Sequence, residues 1–132
     1  MLVSDLMKTD VRTLGLDTSI LSTADKMTDA DVDTMFVTRE GEVIGIMTGK
    51  ELAECISQGH RPQDCLVFRH MRLEVRTSGP SMSLADATEI MLAARLTRLP
   101  VIALRRLVGE VCLADVVRAK TEEPSSRTVA MS

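Results

Sequence analysis

The sequence predicts an α/β (α+β) protein built as two tandem β-α-β-β-α repeats, packed sheet to sheet with pseudo-two-fold symmetry. Two observations predict it. The first is an internal duplication. At a fixed offset of 64, residues 4–52 lie on residues 68–116 without a gap, with 10 identities in 49 positions, where ordinary composition gives roughly 3. Val11-Arg12-Thr13-Leu14-Gly15 lies on Val75-Arg76-Thr77-Ser78-Gly79, and Met7, Ser19, Met27, Ala30, Val37 and Gly45 lie on their equals. The second is the order of patterns within each copy, a strand, an amphipathic helix, a hairpin and a closing helix. A three-stranded sheet with its helices on one face leaves the other face apolar, and a unit of under about 65 residues buries too little surface to fold well alone. Packing the two sheets together buries both faces.

In order, residues 3–7 read as a short helical lead-in and Val11 to Leu14 as a brief strand stopped at Gly15. Asp17, Thr18 or Ser19 caps a helix through about Ala30, with Ile20, Ala24 and Met27 on one stripe. Met35-Phe36-Val37 and Val43 to Met47 form a hairpin turning at Glu40-Gly41, and a helix follows from Thr48 to about Ser57, ending at Gly59. The first repeat thus covers 1–58, a linker 59–66 and the second repeat 67–120. The second repeat has a strand near 75–77, helices over 83–95 and 113–120, and strands over 99–104 and 107–112. Arg105 stands where Gly41 stood, so a different turn is expected there, because a positive φ strains a non-glycine residue. The tail, 121–132, contains Glu-Glu-Pro-Ser-Ser and reads as disordered.

The chain is organised around Gly45-Ile46-Met47-Thr48-Gly49-Lys50-Glu51-Leu52. An apolar strand runs into a helix start at Thr48, and Glu51 completes a capping box. Such a junction presents free N–H groups and a positive dipole end, which suit an anion such as phosphate. Its echo is Gly109-Glu110-Val111-Cys112-Leu113-Ala114-Asp115-Val116. The opening Ser4-Asp5-Leu6-Met7, the hairpin Thr38 to Gly45, the Gly-x-x-Thr-x-x-acid close and Thr97-Arg98-Leu99-Pro100-Val101 together resemble a CBS domain, and the pair resembles a Bateman module.

The resemblance implies a regulatory, ligand-sensing module that holds AMP, ADP, ATP or S-adenosylmethionine between its repeats. By that likeness the closing acid takes ribose hydroxyls and the Thr/Ser position meets phosphate. The first site would use Thr13, Phe36, Val37, Thr48 and Glu51, and the second Thr77, Arg98, Pro100, Val101, Cys112 and Asp115. The first is weakened by the acids Asp25, Asp29, Asp31 and Asp33, which repel phosphate. The second departs from the pattern at Cys112, a poor donor, and at Glu110. Each residue also has a purely structural role open to it. Thr48 caps a helix, Asp115 suits a first turn, and Arg12, Arg76 and Arg98 can pair with surface acids. The second function reading is therefore a dimerisation or interaction scaffold with degenerate clefts.

Composition closes other routes. Only 2% of residues are aromatic, with no Trp or Tyr, so nucleic-acid binding is not expected. No apolar run of about 18 residues is present, so no membrane association is expected. The three cysteines, Cys55, Cys65 and Cys112, form no CxxC and read as idle thiols in a reducing, cytoplasmic setting. His60 and His70 stand far from ligand spacing, so no metal is expected, and no catalytic constellation is read. Residues 1–64 carry 6 Lys/Arg against 12 Asp/Glu, and residues 65–120 carry 9 against 5. Halves of net −6 and +4 predict a head-to-tail homodimer, its interface helices burying Met27 and Met91. The target protein stays unknown.

Overall fold

The computed structural model describes residues 1–121. The expected disordered tail therefore lies outside the described residues, except that Thr121 belongs to the last helix. The first repeat runs α1 (Val3–Leu6), β1 (Thr13–Leu14), α2 (Ile20–Ala30), β2 (Thr34–Arg39), β3 (Glu42–Thr48) and α3 (Gly49–Ser57). A 3-10 turn, Val67–Arg69, opens the second, followed by α4 (Leu84–Ala94), β4 (Arg98–Ala103), β5 (Arg106–Cys112) and α5 (Leu113–Thr121). Local chemistry explains the boundaries. Ser19 and Ser83 cap α2 and α4 by accepting from the Ser22 and Asp86 amides, each at 3.0 Å. Both helices end on a left-handed residue, Asp31 (φ 53°) and Arg95 (φ 56°).

In the first repeat, β1 pairs parallel with β2, which pairs antiparallel with β3. The strand expected near 75–77 does not form. Only a single parallel bridge joins Ser78 to Val101, which leaves β4 and β5 as a two-stranded sheet. The reason is Pro100. It occupies the position of Phe36, the partner of Thr13, and has no N–H with which to extend the ladder. The turn expected to differ does not. Glu40 and Gly41 (φ 54° and 82°) are matched by Leu104 and Arg105 (φ 51° and 69°). Both hairpins also shift register at the same place, after Val37 and after Val101. The sheet's twist demands this turn, and the second hairpin adopts it despite lacking glycine.

The repeats are not side by side but interlocked, because each places its lead-in on the other. Lys8 and Glu110 exchange backbone hydrogen bonds of 2.8 and 2.9 Å, as Arg72 and Ile46 do at 2.9 and 3.0 Å. The Val3 amide donates to Met82 O, and the Val67 amide to Thr18 O, each at 2.8 Å. The approach needs glycine at both crossings. A Cβ on Gly109 would lie 2.8 Å from the Lys8 carbonyl oxygen, and one on Gly45 would strike the Met71 side chain. Val3 accordingly packs in the core of the second repeat with Leu84, Met91, Leu99 and Val111, which also takes Phe36 and Ile46. Val67 packs in the core of the first with Leu14, Ile20, Met27 and Val37. Met27 and Met91 are buried within this chain, at 6% and 0% exposure. The expectation that they line a dimer interface is thus overturned, because their helical stripe faces the chain's own sheets.

Candidate functional site

Each repeat closes on a strand-to-helix junction, and the two junctions differ. In the first, Thr48 Oγ1 accepts from the Lys50 amide at 3.3 Å. Glu51 Oε1 accepts from the Thr48 amide (2.8 Å) and hydroxyl (2.6 Å), while Oε2 faces Arg72 Nη2 at 3.4 Å. Glu51 is 4% exposed, so both of its oxygens are taken up by the capping box and a shielded ion pair. In the second, Asp115 faces Lys8 Nζ at 3.6 Å and pairs with Arg118. These two cations are exposed, so a ligand can displace them.

Lys8 and Arg72 are equivalent residues at the 64-residue offset. Each serves the acid of the opposite repeat, so a cleft is built from one repeat's hairpin and closing helix and the other's lead-in. Each expected residue set was drawn from one repeat, and the opposite repeat's lead-in adds Arg72 beside Glu51 and Lys8 beside Asp115. Thr77 does not join Asp115 but lines a separate cleft of about 410 Å³ with Glu42, Val43, Ile102 and Arg105. Thr13 lies half-buried in β1 against Phe36. Phe36, Val37, Pro100 and Val101 are buried, and the side chains of Phe36, Val37 and Val101 belong to the two cores.

Arg98 and Cys112 do come together. They line a cleft of about 740 Å³ with Thr97, Leu113, Ala114, Val117 and Arg118 on one side and Asp31, Val32 and Asp33 on the other. A groove of about 170 Å³ shares Val32 and Arg98 with it and adds Lys8, Asp10, Arg12 and Glu110. Thr97 Oγ1 donates to Asp33 Oδ1 at 2.7 Å, joining the repeats at equivalent positions. Arg98 Nη1 is held by Glu110 Oε2 at 2.8 Å, with both side chains mostly shielded from water. Burial pushes the Cys112 thiol above its ordinary value of 9.0. Arg98 opposes this, the Glu110 and Asp115 carboxylates add to it, and Lys8 opposes it. Cys112 is therefore a neutral thiol at pH 7, neither a strong donor nor an activated nucleophile.

A second constellation went unseen in the sequence. Cys65 Sγ lies 2.9 Å from His70 Nε2 and 3.7 Å from His60 Nδ1, and the two ring nitrogens are 3.4 Å apart. The Cys55 ligand atom falls within 4.8 Å of those of Cys65 and His70. The expectation that the histidines stand far from any ligand set is corrected. The signal was present as equal steps, Cys55, His60, Cys65 and His70 each five residues apart. That period matches neither CxxC nor one face of a helix, and the turn at Gly59 (φ 79°) is what folds it back.

The CBS domain family model matches residues 3–58 and 67–122. The CBS domain-containing protein YhcV of Bacillus subtilis (strain 168) is 31% identical over 114 residues, 86% of this chain and 81% of its own. The structure of the CBS-domain containing protein ATU1752 from Agrobacterium tumefaciens is 30% identical, with a TM-score of 0.82, and the match covers 91% of this chain and 99% of that one. Two further structures share the fold. The CBS domain pair of MJ0100, in complex with 5′-methylthioadenosine and S-adenosyl-L-methionine, is 22% identical, with a TM-score of 0.79 over 90% of this chain and 98% of that one. Hypoxic Response Protein I, with two coordinated zinc ions, is 21% identical, with a TM-score of 0.80 over the same shares. With its internal duplication, its interlocked repeats and a match over both halves, the chain belongs to the CBS-domain family, as a CBS pair.

Proposed function

We propose that this CBS pair is a regulatory module whose cleft beside Asp115 binds an adenosyl ligand of low negative charge, with S-adenosylmethionine or 5′-methylthioadenosine preferred to ATP. The observation that carries the reading is the charge of the cleft. The 740 Å³ cleft and its adjoining groove, with Asp115 at their edge, hold four cations, Lys8, Arg12, Arg98 and Arg118. Against them stand five acids, Asp10, Asp31, Asp33, Glu110 and Asp115. Arg98, the cation best placed for phosphate, is already neutralised by Glu110. A polyphosphate that engages Arg98 must displace a carboxylate from a shielded pair, which costs more than the same exchange in water. An adenosyl thioether needs no such exchange, and a sulfonium gains from Asp31 and Asp33. The distant fold neighbour crystallised with both ligands supports the chemistry.

No catalytic role is proposed. The one thiol in the cleft is neutral. The scaffold reading gains from Glu51, whose carboxylate is occupied by the fold itself. Calorimetry decides between them. The expected result is binding of S-adenosylmethionine or 5′-methylthioadenosine, tighter than ATP, with Asp115→Ala weakening it by about ten- to a hundredfold and Glu51→Ala changing it little. No heat and no thermal shift with any adenosyl ligand overturns the adenosyl reading, and a stable dimer in sedimentation would then support the scaffold.

A further inference from the structure

We propose that Cys55, His60, Cys65 and His70 form a zinc site that clamps the junction between the two repeats. The four residues lie on different pieces of structure. Cys55 is in the last turns of α3, His60 and Cys65 are in the linker, and His70 closes the 3-10 turn that opens the second repeat. The chain reverses at Gly59, and the His60 amide donates to Cys55 O at 3.0 Å, which holds the linker against the end of α3. Cys55, Cys65 and His70 are buried, at 0, 5 and 8% exposure, while His60 lies on the surface.

Cys55, Cys65 and His70 place their ligand atoms within 4.8 Å of one another, and His60, close to Cys65 and His70 but farther from Cys55, closes the tetrahedron by a shift of its exposed side chain. With Zn–S near 2.3 Å and Zn–N near 2.0–2.1 Å, a tetrahedron has sulfur–nitrogen edges of about 3.5 Å and a nitrogen–nitrogen edge of about 3.3 Å. The Cys65–His60 and His60–His70 separations, 3.7 and 3.4 Å, already have these lengths. The Cys65–His70 edge, 2.9 Å, must open by about 0.6 Å. The imidazole rings are tilted at 58° with centroids 5.4 Å apart, so they bring nitrogens together without stacking. A hollow of about 190 Å³, lined by His60, Arg61, Asp64, Cys65 and Arg69, connects the cluster to solvent. Two sulfurs and two imidazoles select zinc over magnesium or calcium, which require oxygen. The alternative use of the same residues is a Cys55–Cys65 disulfide, and the test separates the two.

Binding would deprotonate both thiols and release their protons, because thiolate is the ligand form. The ion would tie α3 to the lead-in that carries Arg72, the partner of Glu51, and so hold the first cleft's acid in place. The full-length protein, reduced and stripped with a chelator, is titrated with Zn²⁺ against a chromophoric indicator and with Co²⁺ by absorbance. We expect one equivalent of zinc, the visible and thiolate charge-transfer bands of tetrahedral cobalt, and a raised melting temperature. Cys65→Ser should lower zinc affinity by roughly a hundredfold. His60→Ala, at an exposed ligand, should lower it by about tenfold with an unchanged circular dichroism spectrum. The titration of the parent protein stands even if a buried variant fails to fold. Failure of the reduced parent to bind stoichiometric zinc, with or without a Cys55–Cys65 disulfide on oxidation, overturns the site. So does zinc affinity that survives unchanged in both variants.

Discussion

At the scale of single residues, the two clefts differ through very few atoms. Glu51, one methylene longer than Asp115, reaches back to cap its own helix and is consumed there. Asp115 is shorter and stays at the cleft edge. The capping box was legible in the sequence, because it depends on a spacing of three. The engagement of Arg98 was not, because Glu110 reaches it diagonally across a strand pair that only the hairpin register defines. This pair gives a test. Glu110→Gln should free Arg98 and tighten AMP and ATP binding by about tenfold while leaving 5′-methylthioadenosine unchanged, measured by calorimetry. Cys112 gives another. Its folded pKa lies above the unfolded value of 9.0, so the native state keeps a proton that the unfolded chain gives up first. The associated stability is fully present below about pH 9 and is lost as pH rises through the folded value. Cys112→Thr should therefore flatten the alkaline fall in melting temperature, and should hold ligand affinity equal or improve it.

At the scale of elements, the strands and helices were legible wherever a local signal set them. The serine cap of α2, the apolar runs of β2 and β3 and the capping box of α3 all follow from short-range chemistry. Two features were not, and both depend on a partner. The missing strand near 75–77 follows from Pro100, far along the chain, and the turn at Leu104-Arg105 follows from the twist of the strands it joins. That turn stores strain, since a left-handed conformation costs a non-glycine residue roughly 1–2 kcal/mol. Leu104 is 96% exposed and loses no packing on replacement. Leu104→Asn combined with Arg105→Gly should therefore raise the melting temperature by a few degrees, read by calorimetric scanning. An unchanged or lowered value would show that the turn is held by contacts other than backbone preference.

At the scale of the whole molecule, the pairing of two repeats was legible from the duplication, but their interlocking was not. Lead-in and cleft are separated by up to about a hundred residues, and no periodicity links them. The outer faces remain available for assembly. Leu21 and Ile56 on the helices of the first repeat and Val117 on α5 are each about half exposed, while the methionine stripes are used internally. With the first half at net −6 and residues 65–120 at +4, we expect a head-to-tail homodimer. Sedimentation should give twice the 14.5 kDa of the chain and shift toward monomer in high salt. A single 14.5 kDa species at micromolar concentration would refute it.

The exchanged lead-ins also shape how such a chain can change over generations. Because Lys8 serves the cleft of the second half and Arg72 that of the first, heredity at these sites runs crosswise. A substitution in one copy of the duplicated segment is felt by the opposite pocket, so neither copy drifts alone. The same crossing predicts what a recombination break in the linker would yield. Neither fragment would carry a finished pocket, and function would return only when both are made in the same cell and find each other.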